Sequence, residues 1–136
     1  MINYKDTERY QQGIKIMQEK YEASIIDYAN NELYNFSPEL ADLIVNHGIV
    51  EVWTEKTPSF STKEKELFVL AALIWQGGCN DEFEGHVFNA LNVGVSKNQI
   101  KELLILLTLY AGVPKVVEKI RSAIKAFEKF DASQAA

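Results

Sequence analysis

Two long runs of apolar residues constrain the fold of this chain more than any other feature. No polar residue interrupts Leu67–Trp75, and five aliphatic residues follow one another in Leu103–Leu107. Ser61 or Thr62 begins an acidic first turn before the first run, and Ser96 begins a capping box before the second. These caps favour helices over buried strands. A helix that is apolar on every side needs packing neighbours all round.

The remaining sequence is also typical of helices, because the chain has only seven glycines and three prolines and apolar residues recur every three or four positions. In the first segment this spacing joins Tyr10, Ile14, Met17 and Tyr21. The sequence therefore predicts an all-α fold. The six expected helices span about residues 7–30, 39–54, 61–75, 79–92, 97–110 and 115–130.

The length of 136 residues suits a single domain. A domain of this size buries only about two-thirds of the surface that its unfolded chain exposes. Five neighbouring helices can hardly cover two helices that are apolar all round. We therefore predict a homo-oligomer in which another subunit completes part of the core, with a compact monomer around one central helix as the alternative.

Composition and charge exclude several classes of protein. A hydrophobic content of 47% indicates a folded chain, and a net charge of −5 argues against a nucleic-acid partner. The longest apolar runs fall well short of the roughly 20 residues that span a bilayer, and the N-terminus lacks a signal-peptide pattern. The single cysteine excludes an internal disulfide and a CxxC redox pair. We expect a cytoplasmic protein with no membrane partner.

The candidate chemistry lies in the segment after Gly77-Gly78. Cys79, Glu82 and His86 have the spacing i, i+3 and i+7, which places them on one helix face. A helix N-terminus stabilises a thiolate, and a histidine one turn from a carboxylate is a typical oriented acid/base. Glu66 reaches the same place if the two helices pack antiparallel.

Each of these residues also has an ordinary structural interpretation. Cys79 can be a small buried hydrophobe, and His86 an ordinary surface histidine. Glu82 can belong to a solvated face, and Glu66 can serve only its own helix N-terminus. Asp81, Glu82 and His86 imitate metal-ligand spacing, but no second cluster completes a coordination shell, so we expect no metal.

Several motifs follow one another along most of the chain. They are Glu66-Leu67, His86-x-x-x-Ala90-Leu91-Asn92-x-Gly94-Val95-Ser96, Gln99-Ile100-Lys101-Glu102-Leu103-Leu104 and Tyr110-Ala111-Gly112-Val113-Pro114, with Phe36-Ser37-Pro38-Glu39 and Glu51-Val52-Trp53 upstream. This combination resembles the carboxymuconolactone decarboxylase family, which includes the alkylhydroperoxidase D-like proteins.

The resemblance covers about residues 36–130 and implies a six-helix alkylhydroperoxidase D-like bundle that forms a trimer or hexamer. Residues 1–35 then form an N-terminal helix that serves as a packing or oligomer arm, and residues 131–136 form a frayed tail.

Two branches of that family differ at the site. In the peroxidase-type branch a CxxC pair precedes the histidine, and a glutamate lies on the preceding helix. Cys79 matches the first cysteine and Glu66 approximately matches the glutamate, but Glu82 stands at the second cysteine position. The decarboxylase branch lacks the pair and has acidic residues before the same histidine, as Asp81, Glu82 and Glu84 are here.

The resemblance therefore implies decarboxylation of a small carboxylated lactone without a metal or organic cofactor. His86 would be the acid/base, and Glu82 or Glu66 would orient it. One alternative is a single-cysteine, thiol-dependent peroxidase that acts through Cys79 and an external thiol or partner subunit. The other is a non-catalytic oligomeric protein that keeps the fold without the chemistry.

Overall fold

The computed structural model describes all 136 residues and is helical throughout, with no strands, which confirms the predicted all-α class. None of its helices is both long enough and apolar enough to cross a membrane. Contacts divide the chain into two compact units, Met1–Phe60 and Ser61–Ala136. The first unit contains the predicted N-terminal segment 1–35 together with the helix that follows it, so the role of that segment as a separate arm stays a prediction.

The first unit contains three helical stretches after a short 3-10 helix at Tyr4–Asp6. The first stretch is helix α1 (Glu8–Gln18). In the second, α2 (Ala23–Tyr28) continues through a π-helical turn (Ala29–Leu33) into α3 (Tyr34–Phe36). In the third, α4 (Pro38–Asp42) continues into a π-helix (Leu43–Glu55). Ser37 caps α4 by accepting a hydrogen bond from the backbone N–H of Leu40, as the Ser-Pro signal predicts. The core of the unit contains Tyr10, Met17, Ala41, Val45 and Ile49.

The prediction of a single helix over residues 7–30 is wrong, and the chain has seven helical stretches instead of six. Helix α1 ends at Gln18, and the next begins at Ala23. At this break Lys20 is buried, with its ammonium 3.6 Å from the ring centroid of Trp53 and 4.9 Å from that of Tyr21. Such cation–π packing depends on tertiary contacts, so the periodicity of a local window does not reveal it.

The second unit contains four helices. They are α5 (Thr62–Gln76), α6 (Asn80–Asn92), α7 (Lys97–Tyr110) and α8 (Val113–Ala135). Both predicted capping boxes are present, at the start of α5 and at the start of α7. Helix α8 begins after Gly112, whose φ of 94° few other residues adopt, and it continues five residues past the end that the sequence predicts at residue 130.

The two apolar runs contribute one face each to the core of this unit. Leu70 and Ile74 of α5 and Leu104 of α7 are buried. On the outer faces, however, Trp75 is 59% exposed and Ile105 is 69% exposed. Within one chain, therefore, neither run has the neighbours on every side that an all-apolar helix is expected to have.

Gly13 provides a test of the packing in the first unit. A Cβ atom built on Gly13 would lie 2.5 Å from Cγ1 of Val45 and 2.7 Å from its carbonyl oxygen. Gly13→Ala is therefore expected to lower the free energy of unfolding by about 1–3 kcal/mol, because the backbone of the π-helix must shift. Urea denaturation would measure this change.

Gly48→Ala is the matched control, because the nearest atom to its added Cβ is the Leu43 carbonyl oxygen at 3.9 Å, an ordinary contact. If the two variants lost the same stability, the close approach of α1 to the π-helix would be refuted.

Candidate functional site

A hydrogen-bonded pair joins the two helices that carry the predicted site. Oε2 of Glu66, on α5, lies 2.8 Å from Nδ1 of His86, on α6. The Glu66 side chain is completely buried, whereas the His86 side chain is 25% exposed. Because only the short turn 77–79 joins the two helices, they pack together as a hairpin, and this brings together two residues that are 20 positions apart.

The burial of Glu66 limits how its carboxylate can pair with the imidazole of His86. A buried carboxylate needs a hydrogen-bond donor, and an ionised carboxylate can only accept. With Glu66 ionised, Nδ1 of His86 is the donor of this hydrogen bond, and Nε2 is left as the ring nitrogen for proton exchange with a substrate or with water. This is the arrangement of an oriented acid/base.

The structure does not bring the other two predicted residues into this pair. Glu82 lies one turn before His86, but its side chain is exposed and makes no hydrogen bond to the imidazole. Cys79 directly precedes α6, and its half-buried Sγ lies 3.7 Å from the amide nitrogen of Gln76. His86 lies seven positions after Cys79, a distance of about 10 Å along a helix axis.

A second polar cluster holds the turn that joins the two helices. Lys119 of α8 is fully buried, and its ammonium donates to the carbonyl oxygen of Gly78. The same ammonium donates to Oδ1 of Asn80 at 2.8 Å and to Oε1 of Glu118 at 2.9 Å. We call this cluster (Gly78, Asn80, Glu118, Lys119) the turn anchor.

The turn anchor also explains an unusual backbone. Gly77, Gly78 and Cys79 all have positive φ, of 75°, 63° and 51°. The left-handed conformation is costly for cysteine, so surrounding contacts must maintain it. Oε1 of Glu118 accepts from the backbone N–H of Gly78 at 2.6 Å. Its hydrogen bonds to Lys119 and Gly78 hold the pKa of the Glu118 carboxyl below its usual range.

Two buried polar residues near these clusters do not stand out in the sequence. Asn89 is buried three residues after His86, hence on the same side of α6. Lys119 occupies a core position of α8, between the buried residues Val116 and Ala123. The sequence feature that could have identified Lys119 is a lysine at an apolar position of an amphipathic helix. For Asn89 that feature is its position three residues after the histidine.

Comparisons with known proteins cover most of the chain. The model of the carboxymuconolactone decarboxylase family matches residues 38–126. The chain is also 29% identical over 109 residues to a protein from Acinetobacter baylyi described as 4-carboxymuconolactone decarboxylase. That alignment covers 80% of this chain and 79% of the relative. The matched region includes Glu66, Cys79, Glu82 and His86.

Replacing Lys119 tests the turn anchor. Lys119→Met keeps the length of the side chain but leaves the Gly78 carbonyl without its donor, so the free energy of unfolding is expected to fall by about 1–3 kcal/mol. The strained conformation of Cys79 also loses its support, so the thiol should react faster with a disulfide reagent such as DTNB. Urea denaturation and the labelling rate measure the two effects.

Lys129→Met is the matched control, because it removes a lysine of the same helix whose ammonium pairs with Glu84 of α6 instead of with the anchor. Equal labelling rates in the two variants would show that Lys119 does not hold the turn.

Proposed function

Because the chain belongs to the carboxymuconolactone decarboxylase family, we propose that it releases CO2 from a small carboxylated lactone without a cofactor, with His86 as the acid/base. The observation that carries this proposal is the 2.8 Å hydrogen bond between Nδ1 of His86 and the buried carboxylate of Glu66. The name of the Acinetobacter baylyi relative, 4-carboxymuconolactone decarboxylase, supports the substrate class.

The chemistry of decarboxylation suits one oriented imidazole. The bond between the ring carbon and its carboxylate breaks, CO2 leaves, and the electron pair stays on the carbon and spreads into the adjacent unsaturated lactone. A proton must then reach that carbon. Nε2 supplies it from the protonated ring, the imidazolium, while Nδ1 stays bound to Glu66. The neutral ring that results takes up a proton from solvent, to which the 25% exposure of the side chain gives access.

Of the two carboxylates that the sequence offers as partners for His86, the geometry favours Glu66. Glu66 contacts Nδ1 and is shielded from water, so it keeps the ring in one tautomer and one orientation. Glu82 is exposed and separate from the imidazole, so water screens its charge. We assign Glu66 as the positioning residue and give Glu82 no role in orienting the ring.

The thiol-dependent alternative finds less support in the geometry. The imidazole is bound to Glu66, and Cys79 lies about 10 Å away along α6, so His86 does not activate the thiol directly. The amide of Gln76, rather than a charged group, contacts the sulfur. We therefore do not propose a peroxidase role for Cys79, and the Cys79→Ala variant tests that role.

Replacing His86 tests the proposed reaction. The purified wild-type protein is expected to decarboxylate 4-carboxymuconolactone, and His86→Ala is expected to lower kcat by a factor on the order of 10²–10⁴, because no group then delivers the proton. Loss of lactone absorbance and release of CO2 both measure the rate. An unchanged kcat in His86→Ala would remove His86 from the mechanism.

Two matched substitutions separate the proposed roles of the neighbouring residues. Glu66→Gln is expected to reduce kcat because the amide no longer enforces donation from Nδ1, whereas Glu82→Gln, with the same loss of charge one turn from His86, should leave kcat within about twofold of the wild type. Cys79→Ala should also retain decarboxylation. If Cys79→Ala abolished turnover and the wild type consumed peroxide, the thiol-dependent reading would replace this one.

We also propose that further copies of the chain cover the exposed apolar faces of α7 and α8. The exposed side chains are Ile105, Leu106, Leu109 and Tyr110 on α7 and Val113, Val117, Ile120 and Ile124 on α8. On α8 their spacing is 4, 3 and 4, which makes one continuous stripe. Exposed apolar patches of this kind mark interaction surfaces, and a symmetric homo-oligomer is the commonest way to cover them.

A charge placed on this surface tests the assembly. Sedimentation velocity is expected to show a homo-oligomer for the wild type and a smaller species for Leu109→Glu, because a buried unpaired carboxylate opposes association. Ser133→Glu introduces the same residue at an exposed position of α8, on the side of the helix opposite Ile124, and should leave the assembly intact. A monomeric wild type at concentrations of tens of micromolar would refute the proposal.

A further inference from the structure

A second polar cleft lies between α6 and α8 in the unit Ser61–Ala136. Its volume is about 500 Å³, and its charged or polar lining comprises Asn80, Asp81 and Glu84 from α6 and Glu118, Arg121, Ser122 and Lys125 from α8. Val117, a member of the exposed apolar stripe of α8, also lines it. This volume lies within the range of small-molecule sites. The lining is rich in groups that form hydrogen bonds or carry charge, so a ligand there must be polar.

The cleft faces away from the pair formed by Glu66 and His86. Successive residues of an α-helix are rotated by about 100°, so Glu84 and His86 point in nearly opposite directions from the axis of α6. His86 meets α5, whereas Glu84 meets α8 through Lys129. A ligand in the cleft would not touch the proposed acid/base, so the two sites can be tested separately.

The charges in the cleft do not all compensate one another. Oε1 of Glu84 lies 3.2 Å from Nζ of Lys129, and Glu118, which also lines the cleft, is bound to Lys119. Arg121, Lys125 and Asp81 make no hydrogen bond or ion pair in the structure. The lining carries three carboxylates and two cations, and Lys129 and Lys119 add two positive charges where they pair with Glu84 and Glu118. Taken together, the cleft and these two lysines hold one positive charge in excess.

Ser122 supplies a buried group that has no partner. The residue is only 8% exposed, and its hydroxyl makes no hydrogen bond within the chain. No side-chain oxygen that is fully enclosed lacks a partner, so this hydroxyl must reach the open space of the cleft. A buried hydroxyl that can both donate and accept, placed between two cations, is a typical feature of a ligand site.

We propose that this cleft binds a small dicarboxylic acid that also carries a hydroxyl group. One carboxylate would accept from the guanidinium of Arg121, which can bind it through two parallel hydrogen bonds. The second carboxylate would accept from Lys125 and Ser122. The free carboxylate of Asp81 can only accept, so it selects a ligand hydroxyl and disfavours a further anionic group near it.

Isothermal titration calorimetry of the full chain tests the proposal, with malate as the probe. Malate is expected to bind saturably, and Arg121→Gln is expected to raise its Kd roughly tenfold, because a charge-assisted hydrogen-bond pair is lost. Ser122→Ala, which removes only the buried hydroxyl, should raise the Kd severalfold. Succinate, which lacks the hydroxyl group, should bind more weakly than malate, and neutral succinamide should not bind.

The controls distinguish specific binding of malate in the cleft from nonspecific attraction of an anion to positive charge. Lys101→Gln removes one cation from an exposed position on α7 and should leave the Kd for malate unchanged. Circular dichroism checks that Arg121→Gln keeps its fold, and Ser122→Ala tests the cleft independently. The proposal is overturned by the absence of saturable malate binding, by a wild-type Kd for malate in both Arg121→Gln and Ser122→Ala, or by inorganic phosphate that binds as tightly as malate.

Discussion

The pairing of the Glu66 carboxylate with His86 is the interaction on which the second unit depends. A fully buried carboxylate loses its hydration, and this loss costs several kcal/mol unless a hydrogen-bond donor replaces the water. Glu66 is completely buried, and Nδ1 of His86 provides a donor at 2.8 Å. The pair therefore fixes the position of α6 against α5 and the orientation of the imidazole at the same time. Stability and the proposed chemistry rest on the same hydrogen bond.

That hydrogen bond requires a tight connection between the two helices, and the turn anchor supplies it. Three consecutive residues in left-handed conformations reverse the chain between Gln76 and Asn80. Two are glycines, which adopt positive φ at little cost, but the third is Cys79. The ammonium of Lys119 and the carboxylate of Glu118 bind the backbone of Gly78 from both its carbonyl and its N–H sides. Helix α8 thus holds in place the turn that sets the register of α6.

Local sequence patterns predicted the features that local physics determines. The capping boxes at Ser61 and Ser96 begin their helices as expected, because side chains three residues apart satisfy the free backbone groups of a first turn. The antiparallel approach of Glu66 to His86 was also foreseeable from two helices joined by a short glycine turn. The break after Gln18 was not foreseeable, since the residue buried there, Lys20, packs on Trp53, 33 positions along the chain, and no local pattern indicates that contact. The burial of Lys119 was missed for the same reason, since its partners lie about 40 residues earlier.

The faces of α6 show why the sequence alone does not tell which carboxylate contacts His86. Asp81, Glu82 and Glu84 look like one acidic group in the sequence, but the helix separates them. Glu84 turns toward α8 and Lys129, Asp81 lines the cleft, and Glu82 lies in solvent on the side of His86. The carboxylate that binds His86 instead comes from another helix and from a position beside an apolar run. The environment of each carboxylate, rather than its distance in the sequence, decides whether it can orient an imidazole, balance a lysine or select a ligand.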